Sequence, residues 1–355
     1  MGYGRYMAFR VINALVVLVL VVFICSLLFN TFAEQEVKAM IDEIIRAMTV
    51  GNPQLMQKLR SNQTAYQIWV EEQKKLLYEE FGLNKPYLQR VFERAINQLQ
   101  FKFGKATMIR SPSGSTDVAT IILEALPRTV LLFTTAEVIV IVIGILLGLK
   151  AAQKAGSFLD RSIQVISMIS ASLPMWWVGM LMIIAFSYYI PIFPSGGFTS
   201  IPPPPPGIPA LMDLLYHLAL PAITVVLVSF GAWAYITRSL VLGTLQEDFI
   251  MVARAKGVPE RRVLYGHTLR AAAPPILTNT LLALIGSMGG AVITESVFNW
   301  PGLGRLYWIA IEEFDVPVLL GLTTVFTMLY LAAFVLQDLI YGLLDPRVRI
   351  GAERR

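Results

Sequence analysis

The sequence is short of the side chains on which most protein chemistry depends. Its 355 residues include one cysteine, Cys25, and two histidines, His217 and His267. A single cysteine excludes an internal disulfide framework, and two histidines so far apart leave no Cys/His zinc site within the chain. Charge is scarce as well, since Asp, Glu, Lys and Arg make up 15% of the residues against about a quarter in a soluble domain. No Gly-x-x-x-x-Gly-Lys-Ser/Thr stretch occurs, and Gly104-Lys105 is followed by Ala106, so the chain lacks the phosphate cradle of a P-loop ATPase. What it has in excess is apolar surface: 55% of residues are hydrophobic and the mean hydropathy is +0.62. This composition is that of a membrane protein. The net charge of +5 does not point to nucleic acid, because the excess cations lie in loops flanking apolar runs, where they set orientation in a bilayer.

A membrane helix needs roughly 20 mostly apolar residues to cross about 30 Å of hydrocarbon. Six stretches meet or approach that: Val11 to Phe29, Thr129 to Leu149, Ile166 to Ile190, Leu218 to Ile236, Ile276 to Val297 and Val316 to Leu343. The first follows Arg5 and Arg10 and is longer than the apolar core of a signal peptide, about 7 to 15 residues, so it is expected to be retained as a helix. With the N-terminus inside, the inner segments carry fifteen Lys and Arg residues, while the two short outer loops, 191–217 and 298–315, carry only Arg305. Both termini are therefore expected on the cytoplasmic side. The fold class that follows is all-α and polytopic, with six membrane helices.

The polar stretch 31–128 is too long for a simple loop and is expected to be a small, mostly helical external domain, between residues 1–30, which hold the tail and first span, and the core 129–355. In it Leu88, Val91, Phe92, Ala95, Ile96 and Leu99 repeat at helical spacing opposite Gln89, Arg90, Glu93 and Arg94, the pattern of an amphipathic helix packed on the outer mouth of the bundle. Asn62-Gln63-Thr64 is a glycosylation sequon, relevant only in a host that glycosylates. Pro202 to Pro206 reads as a stiff polyproline spacer.

The connection 238–275 is far longer than a turn requires, yet reads helical. Gln246 to Lys256 forms a helix with Phe249, Val252, Ala253 and Lys256 on one face, stopped by Gly257, the residue that ends helices at least steric cost. Pro259 suits the first turn of a second helix, to about Ala273, with Glu260 near its positive end. A short helix, a sharp turn and another helix at the membrane surface make a knob suited to a groove in a cytoplasmic partner.

Asp248-Phe249-Ile250-Met251-Val252-Ala253-Arg254-Ala255-Lys256-Gly257, continued by Arg261-Arg262-Val263-Leu264 and His267-Thr268-Leu269-Arg270, resembles the coupling-helix loop of ATP-binding-cassette importer permeases. The resemblance is greatest to the dipeptide/oligopeptide family. Against the general importer pattern of Glu-Ala-Ala, three residues and Gly, this chain has Met251, Val252 and Ala253, and it ends in His-Thr-Leu-Arg where the pattern has Ile-x-Leu-Pro. Those departures are themselves similar to the peptide-permease variant. Four more stretches resemble the family in order: Phe81 to Pro86, Leu126 to Thr129, Glu295 to Gly304 and Tyr341 to Arg349. The resemblance implies one of two different permease subunits of an importer, paired with a second homologous permease, two cytoplasmic ATPases and an external solute-binding protein. It implies that Asp248, Phe249, Met251, Val252, Ala253, Arg254, Ala255, Lys256 and Gly257 meet an ATPase. ATP and magnesium would be bound by those partners, with no cofactor, metal or catalytic residue in this chain. The cargo implied is a di- or oligopeptide, or, as in some relatives, an oligosaccharide.

Ionisable groups within spans are costly and draw attention. Glu137 is the deepest, and lining the pore or bonding helix to helix are both open to it. Glu295 and Asp338 are expected near helix ends in interfacial, snorkelling positions. Ser167, Ser170, Ser172, Asn279, Thr280 and Ser287 add hydrogen-bonding capacity, and Gly144, Gly148, Gly286, Gly289 and Gly290 permit close helix packing. Trp176 and Trp177 read as mid-span, either against a partner subunit or on the route. Glu137, Ser172, Trp176, Asn279 and Glu295 are thus the candidates for the translocation path. A secondary transporter would require an internal repeat and broken helices with midplane charges, and a receptor or scaffold leaves the 238–275 segment without a use.

Overall fold

The computed structural model describes residues 3–51 and 63–344. Among these every regular element is helical, apart from an isolated antiparallel bridge between Lys105 and Asp117. In chain order they are α1 (Tyr3–Gly51), α2 (Gln63–Glu80), α3 (Tyr87–Leu99), α4 (Val118–Gln153), α5 (Phe158–Ser172), α6 (Met175–Ile183), α7 (Ile208–Leu245), α8 (Asp248–Ala255), α9 (Leu269–Gly286), α10 (Val292–Val297), α11 (Leu303–Glu312) and α12 (Val316–Leu344). Five helical runs are long and apolar enough to cross a membrane, and α5 with the α6 region makes a sixth if the bent pair counts as one span. The sequon residue Asn62, the stretch Asp345 to Arg349 and the terminal arginines Arg354 and Arg355 lie outside the described residues.

Helices α1 and α4 run well past their expected apolar stretches, and the other three expected spans that differ from the sequence reading bear on the site. The third is two helices bent by 94°, because Leu173 takes an extended conformation before Pro174, whose ring disfavours the α-conformation in the residue before it. Trp176 and Trp177 accordingly stand in the first turn of α6, just after the bend. The fifth starts well before Ile276, as one run Glu260–Gly289. It passes through π-helical Val263–Thr268 and through Pro274 and Pro275, which membrane helices tolerate when neighbours satisfy the freed carbonyls. Just beyond the prolines, Thr278 Oγ1 and Asn279 Nδ2 donate back to Pro274 O and Pro275 O, each at 3.0 Å, which keeps both side chains on their own helix. That run ends at Gly290, with φ 66°, so Glu295 belongs to the separate helix α10. The fourth span extends to Leu245, and the expected 238–275 loop shrinks to Gln246 through Pro259.

The residues fall into two compact units. One comprises Leu15–Thr120 and Glu313–Thr327. In it, Ile41 and Ile45 of α1 bury against Leu77 of α2, with Trp69, Val70 and Leu83 around them; each fully buried aliphatic side chain contributes about 1.5–3 kcal/mol where the reference is water. The expected amphipathic helix is α3, but its buried stripe is Val91, Ala95 and Gln98, and Leu88, Phe92 and Ile96 stay exposed. The buried Asp315 carboxylate accepts from the backbone N–H groups of Thr107, Met108 and Ile109 at 2.9, 2.9 and 3.1 Å.

The other unit is built on Ile121–Glu312, with short segments from both ends of the chain. Glycine sets its closest approaches. A Cβ at Gly148 would stand 2.6 Å from Thr237 Cβ, so α4 and α7 touch backbone to backbone, as small residues allow in membranes. Gly231 of α7 takes the same role against Ser167 and Ser170 of α5, whereas Gly286 and Gly289 face open space. At the other end, Asp338 is tied to Arg10 at 3.0 Å and accepts from Tyr6 at 3.3 Å.

Candidate functional site

The short helix α8 begins at Asp248, one residue after Glu247 takes an extended conformation, and Asp248 and Arg254 sit at the ends their charges favour. Its sides are unequal. Ile250 and Ala253 are buried, while Phe249, Met251 and Val252 are exposed. The inner pair is spaced i, i+3 and turns toward the π-helical stretch Val263–Thr268, against which α8 packs. Ala253 is therefore directed into its own chain, apart from Phe249 and Val252, with which the helical spacing grouped it on one face. Ile250, overlooked in the sequence, is the main anchor, and its spacing to Ala253 was the signal available.

Gly257 ends the helix with φ +77°, and the region around a hypothetical Cβ there is empty. The requirement for glycine is thus backbone conformation alone. Val258 N–H donates to Ala253 O at 3.2 Å and Gly257 N–H to Arg254 O at 2.9 Å, which closes the last turn as in a Schellman end. Across the turn Arg254 grips Glu260 through two bonds of 2.8 and 3.3 Å. Asp248, Ala255 and Lys256 are exposed. Beyond them a shallow groove is lined by Pro259, Arg261, Arg262, Tyr265 and Gly266. The segment thus presents a rigid, apolar-tipped knob with a basic flank.

A second constellation lies inside the same unit. The Glu295 side chain is completely buried. Its Oε2 accepts from Gly304 N–H and Arg305 N–H at 2.9 and 3.2 Å, and its Oε1 accepts from Thr129 Oγ1 at 3.1 Å. Thr129 Oγ1 in turn accepts from Leu303 N–H at 2.7 Å. The first three backbone N–H groups of α11 have no partner within their own helix, and a carboxylate placed there also meets the positive end of the helix dipole. Glu295 and Thr129 are a cap held 166 residues apart in sequence. Trp300 Nε1 donates to Arg128 O at 2.9 Å, and the Arg128 guanidinium lies over the Phe198 ring at 5.2 Å. A Cβ at Gly302 would approach Glu295 Cδ to 3.0 Å, so Gly302 leaves room for the carboxylate. The expected snorkelling of Glu295 is corrected: its partners are internal, because the helix break at Gly290 turns α10 back against α4 and α11.

The other path candidates are scattered. Glu137 accepts from Trp233 Nε1 at 2.9 Å, which joins α4 to α7. Ser172 is exposed and donates to Met168 O at 2.7 Å, Trp176 is exposed, and Asn279 is half-buried. The structure brings none of these four to Glu295. Sequence reasoning missed Asp160 of α5, buried and paired with Arg238 of α7 through two bonds, one of them Arg238 Nη2 to Asp160 Oδ2 at 2.8 Å. Arg238 had been counted among loop charges. The signal was Gly156-Ser157 before Asp160, a helix start in which Gly156 N–H reaches the carboxylate at 2.8 Å. Among the described residues no group of His, Cys, Asp and Glu is arranged to hold a metal.

Residues 113–350 match the family model described as the inner membrane component of binding-protein-dependent transport systems. The chain is similar to an oligopeptide transport system permease protein of Bacillus subtilis, 32% identical over 270 residues that cover 76% of this chain and 83% of that protein. A putative peptide permease protein of Brucella suis is 39% identical over 241 residues, covering 66% and 72%. A probable peptide ABC transporter permease protein of Sinorhizobium fredii is 32% identical over 271 residues, covering 76% and 83%.

Proposed function

The chain belongs to the family of inner membrane components of binding-protein-dependent transport systems, and we propose that it is the permease through which an ATP-driven importer moves di- or oligopeptides across the cell membrane. As a member of that family it is a multi-pass inner-membrane transport subunit rather than an enzyme, and it works with ATPase and solute-binding partners. The peptide cargo follows from the names its relatives carry. A second homologous permease completes the pore, both termini and α8 face the cytoplasm, and residues 31–128 form the external domain. The excess of Lys and Arg in the inner segments supports that orientation.

One observation carries the mechanism. The segment Asp248 to Gly257 anchors itself with Ile250 and Ala253 and leaves Phe249, Met251 and Val252 uncovered, the arrangement of a helix that fills a partner's apolar groove. Closure of two ATPases around nucleotide would push such knobs, and rigid rotation of the continuous run Glu260–Gly289 behind them would carry the motion into the membrane. Arg254, Lys256, Arg261 and Arg262 supply charge around the contact and Asp248 its acidic edge.

The test replaces Phe249 and Met251 with Ser in the complete transporter reconstituted in vesicles. Both side chains are exposed, so membrane levels and capture of peptide by the receptor should be normal. Peptide-stimulated ATP hydrolysis and uptake should fall at least about tenfold, since losing apolar anchors at an interface core costs on the order of 2 kcal/mol. Parental transport by this variant removes α8 from the coupling role.

A further inference from the structure

Between Arg161 and Arg238 the chain carries no Lys or Arg, and its one carboxylate is Asp213. Both oxygens of that carboxylate are answered from nearby. Oδ2 accepts from Thr199 Oγ1 at 2.7 Å and from Ser200 N–H at 2.9 Å, and Oδ1 accepts from Ser200 Oγ at 2.5 Å. These bonds fasten the connection between α6 and α7 to the first turns of α7. Its inner side is apolar, with Phe193, Phe198 and Leu214 packed against the core of Leu218, Phe298 and Trp300. Its outer side is apolar too, and the transport reading leaves it without a use. Ile190, Ile192, Ile201, Ile208, Leu211 and Met212 are exposed, Ile201 at 96%. Beside them stand Tyr188 and Tyr189, exposed at the end of the π-helical turn Ile184–Tyr189 that continues α6. Bulky apolar residues gathered on one surface mark a binding face.

The chemistry of the face says what covers it. In this inner-membrane chain the patch continues the exposed apolar residues Leu181 and Ile184 of the α6 run and Leu215 of α7. Tyrosines at such a boundary sit at headgroup level, apolar body inward and hydroxyl in the wet layer. Pro202–Pro206 are five successive residues without a backbone N–H, so the loop brings few donors that lipid would leave unsatisfied. A protein-docking face carries a polar rim, which this one lacks, and a soluble receptor would return the whole face to water at every departure. We propose that residues 190–212 lie in the headgroup and acyl boundary of the bilayer as an apolar plate, instead of projecting from the membrane as a spacer. The plate holds the outer ends of α6 and α7 at the membrane surface. Which leaflet receives it rests on the orientation proposed above; the insertion itself does not.

The experiment labels the full chain carrying Cys25→Ala and Ile201→Cys with bimane, then assembles it with its transporter partners in lipid vesicles. It reads neither ATP hydrolysis nor uptake, so its failure is separable from failure of the coupling or cargo reading. Emission should fall by at least about half in vesicles of brominated lipid, as for a probe lying about 5–10 Å into the headgroup and acyl boundary, and should stay nearly unchanged with aqueous iodide. A label at Glu71→Cys, exposed on α2, should respond the other way round. If the Ile201→Cys chain fails to assemble, Ile192→Cys, on the same exposed face, is read with the same expectation. Quenching by iodide and not by brominated lipid overturns the proposal. Shielding from both quenchers overturns it too and gives the face to the second permease, and loss of the lipid quenching on adding the solute-binding partner makes the face a dock for that protein instead.

Discussion

Helix α8 and the Glu295 cap solve opposite problems with similar amounts of chain. The α8 segment keeps two residues, Ile250 and Ala253, for its own chain and leaves its larger apolar side chains uncovered. The Glu295 cap does the reverse: every polar atom it uses is answered from within the chain, by Thr129, Gly304 and Arg305. The first is a surface waiting for a complement, and the second is a joint that fixes the order of α4, α10 and α11. Stability should therefore be sensitive to the joint and insensitive to the knob, while coupling depends on the knob.

The largest effect should come from the interior wiring. Asp160→Ala leaves the Arg238 guanidinium without its partner on the buried α5–α7 contact, and the expected loss is about 3–5 kcal/mol. Arg238→Leu in the same chain should recover most of it, because an apolar pair no longer strands a charge. Thermal melts in detergent of the two variants and the parent decide this; no recovery in the double variant would show that shape rather than charge holds the contact. Next in size, Glu295→Gln can keep an oxygen for the Gly304 and Arg305 N–H groups but turns a donor toward the Thr129 hydroxyl and removes the negative charge at the start of α11, at about 2 kcal/mol. A melt unchanged from the parent would remove the cap from the account.

At the knob, Gly257→Val forces a branched residue into φ +77°, a strain of about 1–3 kcal/mol. Nothing lies within 4 Å of the new Cβ, so the strain should stay local: small loss in the melt, large loss in peptide-stimulated ATP hydrolysis. Equal fractional losses in both readouts would erase the distinction between knob and joint. The smallest effect concerns Glu34, beyond the apolar stretch of α1. The Lys38 ammonium, and with it the Arg90 guanidinium, hold its carboxyl below the usual carboxylate range. A carboxyl with a lowered folded-state value contributes stability above the unfolded value of about 4.3 and loses it as pH falls through the folded one. The gap between parent and Glu34→Gln in melts should accordingly be present near neutral pH and close below about pH 4. A gap that persists at lower pH would refute the pairing.

Much of the candidate site was readable before any coordinates. The short helix, its stop at Gly257 and the second start after Pro259 are local matters of propensity, capping and φ and appear close to where the residues put them, although the helix begins at Asp248 rather than at the expected Gln246, which caps the preceding helix. The orientation of α8 was not, because Phe249, Val252 and Ala253 share a face equally well on paper. Only the packing of Ile250 and Ala253 toward Val263–Thr268 chooses which face is inner. Asp338 was rightly placed near a helix end, yet its ties to Tyr6 and Arg10 cross more than 300 residues.

By itself the sequence determined that the chain is helical, lives in a membrane, lacks a P-loop motif and carries a short helix followed by a glycine turn. Those properties follow from composition, from the length of apolar runs and from residues acting on their immediate neighbours. Tertiary structure alone decided that the third span bends at Pro174, that the fifth begins at Glu260, and that Glu295 is a buried cap rather than a snorkelling group. The reason is distance along the chain. A carboxylate's role is set by the donors that surround it, and Thr129 reaches Glu295 only once α4 and α10 have packed.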